Sequence, residues 1–135
     1  MKKIFLFILL SFLLKNGFSQ IDSISAFCKK YIQYPYISDG QEYFALLSSG
    51  QTGEFHITFY GGTTYRIVAC SEPTDKSLKF RIYDKKRNEI FSNEKHDMTT
   101  YWDIKFTSTI NCIIETELPE NKVSGIAMLM IGFKQ

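Results

Sequence analysis

The histidines and cysteines are the residues best suited to catalysis or metal binding in this sequence, and their spacing supports neither. There are two histidines, His56 and His96, and three cysteines, Cys28, Cys70 and Cys112. Zinc sites draw their ligands from short repeats such as Cys-x-x-Cys, whereas these cysteines stand about 42 residues apart. His56 alternates with apolar residues beside Glu54 and Thr58, and His96 lies in the polar stretch Asn93-Glu94-Lys95-His96-Asp97. Cys70 and His56 stand on the two adjacent strands of the hairpin predicted at Gly61-Gly62, so a thiol–imidazole pair across it is geometrically open. A buried cysteine and an exposed histidine are the plainer expectation. The Gly-x-Ser-x-Gly elbow of serine hydrolases is absent. Asp84 and Glu89 flank one turn and Glu72 and Asp75 sit in another loop, but Lys85, Lys86 and Arg87 crowd the first, so both read as solvated charge rather than calcium sites. The expectation is a protein without catalytic residues, metal or cofactor.

Binding is the better prospect. In Glu54-Phe55-His56-Ile57-Thr58-Phe59-Tyr60 the apolar residues face one way and the polar ones the other. Lys79, Arg81 and Tyr83, and then Tyr101, Asp103 and Lys105, occupy the corresponding outward positions of two later runs. If these runs share a sheet, Tyr60, Tyr83 and Tyr101, with His56 and Arg81, make a tyrosine-bearing polar face able to stack on a sugar ring or hold a peptide. The plain alternative is a solvated face held by cross-strand pairs. Trp102 alternates with Ile104 and Phe106 and reads as core.

The elements that would position these residues are mostly strands. Ile24, Phe27, Cys28, Tyr31 and Ile32 recur at helical spacing after Asp22-Ser23, which predicts a helix at about 22–33, ended by Pro35. From there the pattern has period two. Gly61-Gly62 between two alternating runs predicts a hairpin, and Lys85-Lys86-Arg87-Asn88 a second polar turn. Tyr43–Leu47 and the runs that follow give about eight short strands, the pattern of an antiparallel sandwich or barrel. Residues 126–133, Ile-Ala-Met-Leu-Met-Ile-Gly-Phe, are apolar on both faces and need cover on both. The amphipathic helix is the expected cover for one of them, and the rival is an exposed strand used by a partner protein.

The chain opens with Met1-Lys2-Lys3 and the apolar run Ile4–Leu14, a secretory leader too short to span a bilayer, with cleavage expected after Ser19. Removing residues 1–19 takes three of 16 basic residues and none of 14 acidic ones, so the remaining single domain, 20–135, carries a net charge of −1. That argues against nucleic acid as a partner and leaves a glycan, a peptide or an envelope protein. Export, to the periplasm or beyond, also permits one disulfide among Cys28, Cys70 and Cys112, with the pairing open and buried free thiols equally compatible.

The segments Tyr34–Gly40, Phe55–Ile67, Tyr101–Phe106 and Ser124–Gln135 resemble a group of uncharacterised small secreted proteins of the Bacteroidota. More distantly, the order of hairpin, Leu-x-Phe-x-Ile-x-Asp at 78–84, polar turn and Trp-x-Ile-x-Phe resembles bacterial pre-peptidase C-terminal domains. That resemblance implies a jelly-roll-like sandwich and an accessory or binding role, although the N-terminal helix departs from the pattern. The expectation for fold and function together is an all-β antiparallel sandwich with a helix packed on it, acting as an exported non-enzymatic binding or structural module.

Overall fold

The computed structural model describes residues 20–135, so the leader expected over residues 1–19 lies outside the described residues. A helix, α1, spans residues 20–29. Nine strands follow: β1 (Ile37–Ser38), β2 (Tyr43–Ser48), β3 (Thr52–Phe59), β4 (Thr64–Cys70), β5 (Lys79–Asp84), β6 (Glu89–Ser92), β7 (Tyr101–Lys105), β8 (Ile110–Glu117) and β9 (Ser124–Lys134). One sheet has the order β2-β9-β4-β7, with the short β1 pairing further along β9; the other has the order β3-β8-β5-β6. All pairings are antiparallel. Strands β2 to β9 thus form an eight-stranded jelly-roll sandwich, as expected, with β1 as an addition too short to show an alternating pattern.

The expected hairpin at Gly61-Gly62 does not form. Its flanking strands, β3 and β4, belong to opposite sheets. Phe59 and Tyr65 both turn into the inter-sheet core, with ring centroids 4.8 Å apart, so their burial favours an arch across the sandwich over a ladder within one layer. The glycines serve close approach instead. A Cβ on Gly61 would lie 2.8 Å from Ser108 Cα, and the Gly61 and Gly62 amides donate to Thr109 Oγ1 and the Phe106 carbonyl. The turn between β5 and β6 is a true hairpin, closed by Asp84, whose Oδ1 accepts from the Lys86 and Asn88 amides at 2.9 Å.

Helix α1 stops about four residues short of its expected end. The Tyr31 and Ile32 amides turn back to the Cys28 and Lys29 carbonyls three residues earlier, which tightens the last turn and ends the α-helical ladder before the Tyr31 carbonyl. Arg66 Nη1 donates to that carbonyl instead, at 3.1 Å.

Strand β9 is covered on both faces. Ala127, Leu129 and Ile131 enter the inter-sheet core, while Ile126, Met128 and Met130 pack with Ile24 and Cys28 of α1 and with Val68 and Cys70 of β4. A disulfide joins Cys28 to Cys70, tying α1 to the sheet it covers, and Cys112 is a free, buried thiol. The alternative of an exposed C-terminal strand serving a partner is therefore overturned. β9 lies between β4 on one side and β1 and β2 on the other, with no free edge and no free face.

Candidate functional site

A jelly-roll sandwich has two seams where the edges of its sheets meet, and here they differ. At the seam between β6 and β7, Phe91 stacks on Trp102 with centroids 4.5 Å apart and planes 19° from parallel, and the His96 ring lies 4.5 Å from the same indole. Asn93, fully buried just after β6, secures this corner. Its Oδ1 accepts from the Phe80 amide, and its Nδ2 donates to the Leu78 and Thr99 carbonyls. That seam is plugged.

The seam between β2 and β3 is pinched at one end and open at the other. Near the turn joining the strands, a Cβ on Gly53 would lie 2.9 Å from Thr116 Oγ1 and 3.3 Å from Leu47 Cδ2, so only glycine lets the edges meet there. Past Phe55, whose ring meets the Tyr43 ring, β3 runs on beyond the start of β2, and a cleft of about 530 Å³ opens there. Tyr43, Ile57, Tyr65 and Phe133 form its walls, Ile131 lies buried at its base, and Asp39, His56 and Tyr60 stand among its lining residues. Tyr60 is 62% exposed, and so is Ile37 at 64%, which pairs directly with Phe133.

Some polar groups lining the cleft are engaged within the protein. The Tyr65 hydroxyl accepts from the Tyr60 amide at 2.9 Å, and the Thr58 hydroxyl donates to Asn111 Oδ1 at 2.6 Å. Asp39 differs. Its carboxylate accepts from the Gln41 amide at 2.9 Å and from the Tyr43 hydroxyl at 3.3 Å, yet among the described residues it forms no ion pair. Burial and then the Asp39 charge push the Tyr43 hydroxyl above its ordinary pKa.

The five candidates from the sequence divide among three places. His56 and Tyr60 reach the cleft. Tyr83 and Arg81 lie on the outer face of the second sheet, where Arg87 sits 5.9 Å over the Tyr83 ring and Arg81 is paired with Glu94, Glu115 and Glu117. Tyr101 lies on the other sheet, 5.3 Å from the Tyr31 ring, with the Arg66 guanidinium 4.5 Å over its face. The outward-facing residues of β3, β5 and β7 therefore do not share a surface, because β7 belongs to the opposite sheet. Cys70 cannot pair with His56, being bonded to Cys28 in the other layer. The cleft residues missed from sequence, Asp39, Tyr43, Ile57, Tyr65 and Phe133, mostly alternate as core positions; only strand order shows that their seam stays open.

A second depression of about 380 Å³ lies beside the first turn of α1, lined by Ser23, Ser71, Glu72 and Lys122. Glu72 and Lys122 pair with each other there, and no aromatic ring lines it. No group of three or more His, Cys, Asp or Glu side chains suited to a metal ion occurs among the described residues. No helix among them is long and apolar enough to cross a membrane.

No family model matches the chain, and no curated protein matches it. Among solved structures, it is similar to PliG of Aeromonas hydrophila, a periplasmic lysozyme inhibitor of g-type lysozyme, with a TM-score of 0.55 over 76% of this chain and 90% of that one. Sequence identity is 10%, so the likeness is one of fold.

Proposed function

We propose that this chain is an exported, non-enzymatic module that binds a protein partner through the cleft between β2 and β3. The observation that carries this reading is the contrast between the seams: one plugged by Phe91, Trp102 and His96, the other open and walled by aromatic rings. A concave aromatic pocket with exposed apolar residues beside it suits an inserted side chain from a partner, because such anchors supply most of the binding energy in protein interfaces. The fold is compatible with this role, since the structural neighbour is an inhibitor of a protein, g-type lysozyme. A g-type lysozyme is therefore the first partner to try.

The test uses the mature chain, whose N-terminus should read Gln20 on sequencing of the exported form. Binding to g-type lysozyme is measured on an immobilised chain, alongside lysozyme clearing of peptidoglycan. Tyr60→Ala and Ile37→Ala should each weaken binding by about ten-fold, the scale of an interface anchor, while Tyr83→Ala on the far sheet should leave it unchanged. A photo-crosslinking residue at position 60, compared with one at 83, extends the test to other partners in the living cell. Equal crosslinking from both positions, or binding insensitive to Tyr60 and Ile37, overturns the assignment of the cleft.

A further inference from the structure

Resting on the reading of the cleft as a protein-binding site, we infer that the group it receives is the cationic side chain of a partner's arginine or lysine, held between the aromatic walls and the Asp39 carboxylate. Two observations point the same way. Tyr43, Tyr65 and Phe133 line the cleft, and aromatic faces attract cations through the negative charge above the ring. This molecule uses that contact elsewhere: Arg66 lies 4.2 Å over the Tyr36 ring and 4.5 Å over the Tyr101 ring while pairing with Asp103. The Arg66 site holds a guanidinium, two rings and a carboxylate. The cleft holds the rings and the carboxylate, with no lysine or arginine among its lining residues.

The state of the carboxylate adds to this. Asp39 accepts from the Gln41 amide and the Tyr43 hydroxyl, which fix its direction and leave acceptor sites free, since an ionised carboxylate offers about four. An arginine could take two of them at once. A neutral sugar offers hydrogen bonds but no counter-charge to the Asp39 carboxylate, which forms no ion pair among the described residues.

The experiment titrates the mature chain with the capped peptide acetyl-Gly-Arg-Gly-amide while amide chemical shifts are followed, then repeats this with citrulline in place of arginine and with N-acetylglucosamine. The arginine peptide should give saturable shifts at Asp39, Tyr43 and Phe133, and citrulline should bind about ten-fold more weakly, as expected for loss of a partly desolvated cation–aromatic contact. Asp39→Asn keeps an acceptor for the Gln41 amide and should reduce the arginine peptide to the level of citrulline. Equal binding of the two peptides, saturation of the same amides by the sugar alone, or no saturable shift at the cleft overturns the inference. The broader reading fails separately. If Tyr60→Ala weakens a protein partner while Asp39→Asn does not, the cleft binds protein without reading charge; if neither does, both fall.

Discussion

Asn93 is the most consequential polar residue of the fold, because its one amide group satisfies three backbone groups where β5, β6 and β7 converge. Asn93→Ala would leave the Phe80 amide and the Leu78 and Thr99 carbonyls without their partner in a buried corner. The expected loss is about 3 kcal/mol by denaturant unfolding. Nothing in the polar run around Asn93 distinguishes it from its exposed neighbours, since only the folded corner shows which side chain turns inward. Asp103 offers a test in pH. Its hydrogen bonds from Arg66 hold its carboxyl below the ordinary aspartate value, against a smaller opposing effect of burial. A lowered native pKa stabilises the fold above the unfolded value of about 3.9 and ceases to do so as pH falls through the native value. Asp103→Asn should therefore lower the melting temperature at neutral pH and converge with the parent chain in acid. A constant difference across the acid range would show that the pair is held by packing alone.

Among the elements, those with a clear period were legible and their partners were not. The alternation of Phe55, Ile57 and Phe59, or of Leu78, Phe80 and Ile82, reports which face is buried but not which strand lies alongside. A pair of glycines between two such runs is consistent both with a hairpin and with an arch that must touch the loop beneath it, and the buried rings of Phe59 and Tyr65 decide for the arch. Strand β9 could be read further, since a run apolar on both faces demands two covers and the amphipathic helix α1 is one of them. The disulfide makes that cover permanent. Replacing both Cys28 and Cys70 by serine should cost about 2–4 kcal/mol. Amide exchange in residues 20–29 should rise more than in β8, and uniform acceleration throughout the protein would mean that α1 is not a separable layer.

At the scale of the molecule, export and binding rest on different supports. The leader is an expectation from sequence alone, whereas the cleft follows from topology, since it opens where β3 runs on past the start of β2 while β6 and β7 are bolted together by aromatic rings. Of the residues proposed to bind a partner, His56 and Tyr60 were legible as outward positions, whereas Asp39, Tyr43, Tyr65 and Phe133 read as a loop aspartate and core aromatics. Filling the cleft tests this directly. Ile57→Trp should abolish partner binding with little change in melting temperature, because the added volume enters open space. A large drop in stability would show that the seam is closed in solution.

The place of β9 has a further consequence for how the protein comes to be folded. The last strand made is the central strand of its sheet, joining β1 and β2 from the start of the domain to β4. A chain emerging N-terminus first has no means of completing that sheet until residues 124–134 arrive. Contacts so distant in sequence make folding slow. Strands β1 and β2 pair with β9 alone, so the wall that Tyr43 gives to the cleft forms late in folding, once β9 is in place.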